Sequence, residues 1–338
     1  MKILVTGGTG FIGSHTVVEL QNKGYEVIIV DNLSNSDAKI LDSIEKITKI
    51  KPNLETFDLI DQKKTANFFK KHNDINGIIH FAAHKAVGES VKEPLKYYRN
   101  NIDSLINVLQ AMQDHQIQNI VFSSSCTVYG KPDNLPVSEE TPLPQSNSPY
   151  GNTKKISEEI IQDVVKETLV KAINLRYFNP IGAHDSALIG ELPTGAPTNL
   201  LPFITQTAIG EHNHLKIYGN NYKTPDGTAI RDYIHVVDVA KAHVIAIERM
   251  INKKMKLSLE TFNLGTGLGF SVLEVINTFE KISGLKLNYK YVDRREGDID
   301  KIWADSRLSN NILGWKAEYN LEDMVRSAWK WEQAYKGV

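Results

Sequence analysis

The sequence predicts an α/β protein: a doubly wound parallel sheet with a smaller C-terminal α/β lobe. Two observations carry this. Short β-branched runs alternate with longer amphipathic segments through the first half of the chain, and strands that alternate with helices form parallel sheets covered on both faces. Glycines at 7, 10 and 13 stand where the first strand turns into the first helix, as a strand–turn–helix unit that receives phosphate requires.

In order, Ile3 to Thr6 reads as a strand and Ile12 to Lys23 as a helix. Val27 to Val30 is the next strand, and a lysine-spaced helix follows from Asp37 to Lys49. Glu55–Phe57, Gly77–Phe81, Ile120–Ser123 and Ala172–Leu175 read as further buried strands. Gln62–Lys71 and Leu95–His115 have helical period and length. From Lys131 to Pro149 prolines and polar residues interrupt the pattern and predict a long ordered loop. Ser148-Pro149 then supplies a hydroxyl cap with proline at the first helical position. After Pro180 turn-rich stretches surround short helices. The expected division is therefore 1–180 and 181–338, with some segments of the second part packing back on the first.

The chain has 338 residues, 41% hydrophobic and 23% charged, with 39 basic against 40 acidic side chains and a formal charge of -1. That balance offers no general attraction for nucleic acid or an anionic membrane. The lone cysteine, Cys126, permits no intramolecular disulfide. No apolar stretch approaches the roughly 20 residues of a membrane span, and no leader-like segment opens the chain. The expected location is the cytoplasm.

The three glycines have distinct uses: a tight turn, close backbone approach to a pyrophosphate, and close helix–strand packing. This is the fingerprint of a Rossmann-type dinucleotide site. Asp31 ends the second strand, eighteen residues after Gly13, near the roughly 20-residue offset at which a carboxylate receives the adenosine ribose hydroxyls. That carboxylate would repel a 2′-phosphate, and Asn32, Leu33, Ser34, Asn35 and Ser36 supply no cation to neutralise one. NAD is expected, not NADP, and no metal.

Tyr150 precedes Lys154 by four residues at the start of a helix, so the phenol and the ammonium share one face. A neighbouring cation favours phenolate and would make the tyrosine a better base. Ser123, Ser124, Ser125 and Thr127 follow a strand, at the strand ends where open parallel sheets bind ligands. Without further information, Arg231 and Arg295 fit either a phosphate site or surface ion pairs.

Together these motifs resemble the extended short-chain dehydrogenase/reductase family. The segments Ile79–Ser90, Tyr97–Asn101, Leu175–Pro180, Gly227–Val236 and Arg294–Asp298 are similar to its 4-epimerase branch, whose members interconvert UDP-glucose and UDP-galactose. The resemblance implies reversible epimerisation at sugar C4 through a 4-keto intermediate, by transient hydride transfer to tightly bound NAD. It implies Tyr150, Lys154 and Ser125 as catalytic residues. It places Gly7, Gly10, Phe11, Ile12, Gly13, Asp31, Asn32, Leu33, Ser34, Asn35, Ser36, Asp58, Leu59, Phe81, Ala82, Ala83, His84, Lys85, Asn100, Ser123, Tyr150, Lys154 and Phe178 around NAD. The UDP-sugar would meet Lys85, Ser125, Thr127, Tyr150, Asn179, Asn199, Leu200, Tyr218, Arg231, Arg295, Asp298 and Ile302. A homodimer is implied, formed by Leu95–His115 and Ile156–Thr168.

Three positions depart from the family pattern. Cys126 replaces an alanine and should be a buried, inert thiol. His84 replaces an apolar residue. Ile302 stands where a large tyrosine goes with strict use of UDP-glucose and UDP-galactose, and a small residue with added acceptance of N-acetyl sugars. The alternatives within the same scaffold are a nucleotide-sugar dehydratase or an epimerase preferring N-acetylated UDP-hexosamines. A dehydratase carries an acidic pair where this chain has Cys126 and Thr127.

Overall fold

The computed structural model describes residues 1–338 apart from Gln145, Thr194, Ala196, Thr198, Glu296 and Val338. Glu296 belongs to a motif quoted above and lies outside the described residues.

Six strands of the first half, β1 (Lys2–Thr6), β2 (Glu26–Asp31), β3 (Asn53–Thr56), β4 (Ile75–His80), β5 (Asn119–Ser125) and β6 (Lys171–Tyr177), enter one parallel sheet. After β7 (Asn179–Ile181), β8 (Leu215–Tyr218), β9 (Ile230–Arg231) and β10 (Tyr233–His235), the chain returns as β11 (Leu259–Leu264). β11 completes a seven-stranded sheet in the order β11-β6-β5-β4-β1-β2-β3. No local signal foretold β11, because its partner β6 lies more than eighty residues earlier. The order reverses beside β1, and that reversal opens the crevice in which such sheets bind ligands.

The first helices are α1 (Phe11–Asn22), α2 (Ile40–Thr48) and α3 (Gln62–Lys71). Asp61 caps α3 by accepting from the Lys64 N–H. The expected helix over 95–115 is interrupted. Following α4 (Val87–Lys92), α5 (Pro94–Tyr98) passes into a π-turn over Arg99–Asp103 before α6 (Ser104–Asp114). A π-turn inserts one residue and re-aims its neighbours; here Asn100 reaches the cleft and Asn101 turns inward and is buried. The described residues of 131–148 form no helix and only an isolated bridge from Val137 to Ala304, and α7 (Pro149–Glu167) starts with Ser148 Oγ accepting from the Gly151 N–H at 3.1 Å.

Apolar faces from α1, α2 and α9 (Val236–Ile251) pack on one side of the sheet, while α3, α6 and α7 pack on the other. A third core joins α8 (Leu200–Ala208), α10 (Val272–Ser283) and α11 (Leu321–Lys336) to β8 and β10. Two short pairings complete the lobe: β12 (Phe270–Ser271) and β14 (Lys301–Ile302) flank β9, and β13 (Tyr289–Val292) pairs with β8. Among the described residues, no helix is long and apolar enough to cross a membrane.

Candidate active site

A cleft of about 1570 Å³ runs along the carboxyl ends of the strands. At one end the β1–α1 turn makes a backbone cradle. Gly7 has φ +68°, and a methyl there would stand 2.9 Å from the Ala82 nitrogen; one at Gly13 would collide with the Gly7 carbonyl. Gly10 caps α1 without a side-chain hydrogen bond, and no acidic residue occupies the first turn. The free N–H groups and positive end of the helix dipole are therefore left for an anion. A cradle that side chains would fill, opening on a bare helix N-terminus, fits a dinucleotide pyrophosphate.

Asp31 is buried beside this cradle, accepting from Thr9 N at 3.2 Å, Leu33 N at 2.9 Å and Ser36 Oγ at 3.3 Å. Leu33 takes the left-handed conformation, φ +57°, and it is Asn32, Ser34, Asn35 and Ser36 that face the cleft. Lys39, just before α2, reaches the same wall, a cation that the uncharged run from 32 to 36 does not foretell. Asn32 Nδ2 donates to Asp58 at 3.0 Å. Asp58, Leu59, Phe81, Ala82, Ala83, His84, Lys85, Asn100, Ser123, Tyr150 and Lys154 line the same cleft as Gly7, Gly10, Phe11, Ile12 and Gly13. Phe178 does not. It is buried in a small core with Cys126 and Ile302.

Tyr150 and Lys154 are almost wholly buried, one turn apart on α7. Lys154 Nζ donates to the Ser123 carbonyl at 2.6 Å and sits 4.9 Å from the Phe122 ring centre. Burial lowers its pKa to about 8, against the opposing charge of Glu158. Burial also pushes the Tyr150 phenol well above its usual value, and a hydrogen bond with Ser125 only partly counters that. Desolvation therefore opposes the phenolate that a neighbouring cation favours.

The loop carrying His84 and Lys85 is held by Asn101, a residue the sequence did not single out. Asn101 accepts from His84 N at 2.8 Å and donates to His84 O at 3.1 Å and to Thr153 Oγ1 at 3.0 Å. Thr153 in turn donates to the Tyr150 carbonyl at 2.7 Å. The His84 ring packs 5.5 Å from Tyr97, and burial followed by the charge of Lys96 lowers its pKa. Glu191 was likewise unforeseen. One carboxylate oxygen accepts from Lys85 Nζ at 3.1 Å and from Asn199 Nδ2 at 2.5 Å, joining two walls of the cleft.

Tyr218, Arg231, Arg295 and Asp298 form a second group, outside the residues that line the cleft. Arg295 Nε donates to Asp298 at 3.0 Å and its guanidinium lies 5.0 Å from the Tyr218 ring centre. Arg231 meets the same carboxylate at 3.5 Å. Both readings of these arginines are thus compatible: they are ion-paired, and they present two guanidinium forks around one carboxylate. Leu200 opens α8 directly after Asn199, and Asn179 begins β7. Thr127 Oγ1 is buried with no hydrogen-bond partner among the described residues. Ile302 pairs with Arg231 in adjacent strands and packs with Cys126 and Phe178. Cys126 is buried, and burial raises its thiol to about 12, which makes it unreactive.

A dinucleotide cradle at the first strand–helix turn and a Tyr–Lys pair at the same sheet's carboxyl edge define a nicotinamide-dependent enzyme of the extended short-chain dehydrogenase/reductase class. The family model described as GDP-mannose 4,6 dehydratase matches residues 4–328. The UDP-glucose 4-epimerase of Bacillus subtilis is 47% identical over 335 residues, 99% of this chain and 97% of its own; that of Drosophila melanogaster is 48% identical over 337 residues, 98% and 96%. Among solved structures, the Bifidobacterium longum UDP-glucose 4-epimerase in complex with NAD+ and UDP superposes with a TM-score of 0.95 at 46% identity, covering 100% and 99% of the two chains. The Stenotrophomonas epimerase with bound NAD and formylated UDP-arabinopyranose gives 0.95 at 47%, again covering 100% and 99%. The chain belongs to the UDP-glucose 4-epimerase family.

Proposed function

We propose that this protein epimerises UDP-glucose and UDP-galactose at C4, using NAD resident in the cleft. The observation that supports it most directly is the placing of Tyr150 and Lys154 on the wall of the cleft that the glycine cradle opens. NAD, when bound, supplies a reversible hydride acceptor. Tyr150 takes the proton of the sugar 4-hydroxyl and returns it, and Ser125 hydrogen-bonds the same oxygen. Lys154 holds the nicotinamide ribose. Lys154 and the positive charge of a bound nicotinamide would both favour the phenolate.

The cofactor set is the cleft-lining group described above, with Leu33 contributing through backbone and Phe178 from its small core. The UDP-sugar is held by Lys85, Thr127, Asn179, Asn199, Leu200, Tyr218, Arg231, Arg295 and Asp298, with Ile302 beside the sugar. Guanidinium forks suit diphosphate oxygens, and Arg231 and Arg295 would exchange Asp298 for them. The residues after β5 support an epimerase over a dehydratase, since Cys126 and Thr127 carry no carboxylate.

The enzyme works as a cytoplasmic homodimer in galactose metabolism. Leu95 is 81% exposed and Ile106 45% exposed on the α5–α6 run, which supports a buried partner face there. The decisive experiment is conversion of UDP-galactose to UDP-glucose by purified protein without added NAD. Protein that retains NAD and shows no conversion would refute this reading.

A further inference from the structure

The three serines at the end of β5 do not share one role. Side chains alternate across a strand, so Ser124 faces away from Ser123 and Ser125. Ser123 accepts Lys154 on its carbonyl and bonds the Tyr177 hydroxyl at 2.6 Å; Ser125 Oγ accepts from Thr127 N at 3.3 Å and lies near enough to Tyr150 to lower its pKa. Ser124 points to α7 and donates to Glu158 at 2.5 Å. Glu158 is buried one turn after Lys154 and forms an ion pair with Arg176, whose Nε and Nη2 both reach it.

Arg176 stands opposite Ser124 on β6, and Asn263 stands opposite Arg176 on β11. The Tyr129 hydroxyl links them, accepting from Arg176 at 3.0 Å and donating to Asn263 at 2.6 Å. Asn263 N donates to Glu139 of the 131–148 loop at 2.6 Å. A continuous buried polar row thus crosses three strands behind the reacting edge. Such networks, when every member is satisfied, rigidify what they join.

We infer that Ser124 is a positioning residue: its bond to the Glu158–Arg176 pair fixes the backbone of β5 so that the Ser125 hydroxyl meets Tyr150 and the Ser123 carbonyl meets Lys154. Neither Ser124 nor Glu158 touches the substrate. The inference rests on the epimerase reading. A displacement of about 1 Å at a reacting group can cost on the order of 10²-fold in rate, so loss of one strut that leaves the ion pair intact costs about tenfold.

Ser124→Ala is the test, with Ser124→Thr to restore the hydroxyl. Thr205→Val is the matched control, since Thr205 makes a buried hydroxyl–carboxylate bond to Glu332 at 2.8 Å outside the reacting group. Expected for Ser124→Ala are copurified NAD, unchanged KM for UDP-galactose and kcat lowered about tenfold; Ser124→Thr recovers most of it. Thr205→Val keeps wild-type kcat although its melting temperature falls. If Ser124→Ala does not fold, Ser124→Cys, with a weak S–H donor, is read for the same split. Wild-type kcat in the folded variant overturns the inference, as does an equal loss in Thr205→Val. An inactive wild-type enzyme would remove the epimerase reading itself, whereas an active one with an unaffected Ser124→Ala removes only this inference.

Discussion

Replacing Lys154 by methionine should expose what its buried charge does to stability. Lys154 is 4% exposed, and burial lowers its pKa from 10.5 to about 8. A base with a depressed native pKa binds fewer protons folded than unfolded between those two values. Stability of the wild type should therefore rise with pH across that window, relative to a variant with no titrating group there. At pH 7 both states are largely protonated and the native state carries nearly the whole penalty. By pH 10 most of it is gone. Each tenfold loss of proton affinity on folding corresponds to ~1.4 kcal/mol, so the linkage relation gives a gain of about 2.5 kcal/mol between pH 7 and 10. Methionine keeps the length and apolar stem, and the lost contacts with Ser123 and Phe122 add a pH-independent offset. The measurement is denaturant unfolding of both proteins, stripped of nucleotide, at intervals of half a pH unit. A flat difference, or one moving against the wild type as pH rises, would refute the assignment of a desolvated ammonium.

Tyr150→Phe should retain the fold and bound NAD while losing ~10²–10⁴-fold in kcat, the usual worth of a general base; steady-state rates with UDP-galactose check this. Stripped protein should bind NADP far more weakly than NAD by calorimetry, because a like charge facing Asp31 costs several kcal/mol. Asp31→Ser, which leaves Lys39 on the same wall, should narrow the gap. Arg231→Ala and Arg295→Ala should raise KM and spare kcat, since the diphosphate keeps its charge during hydride transfer; a fall in kcat at constant KM would contradict the placement. Ile302→Tyr should suppress turnover of UDP-N-acetylgalactosamine while sparing UDP-galactose, and Ile302→Cys should raise it. Apolar bulk discriminates by about 1–3 kcal/mol, so equal kcat/KM ratios in all three proteins would mean that Ile302, buried with Cys126 and Phe178, is core packing alone.

That the glycine turn, Asp31, Tyr150 and Lys154 share one cleft was legible in the sequence because its determinants are local. Gly7, Gly10, Gly13 and Asp31 are set by one strand–turn–helix unit and the strand after it, and Ser148, Tyr150 and Lys154 by one helix start. Period, caps and glycine spacing reach that far. The family resemblance named the lobe residues but not how they meet. That Arg231 and Arg295 converge on Asp298, that Glu191 ties Lys85 to Asn199, and that β11 closes the sheet all depend on pairings between distant segments. The π-turn at Arg99–Asp103 was hidden for a related reason: one inserted residue barely disturbs an apolar period, yet it sends Asn101 inward to hold the loop of His84. The direction in which the Tyr150 pKa moves also escaped the sequence. The spacing of Tyr150 and Lys154 states which groups are neighbours, but only the packing around them decides how much water each has lost, and at Tyr150 that loss pushes the phenol up.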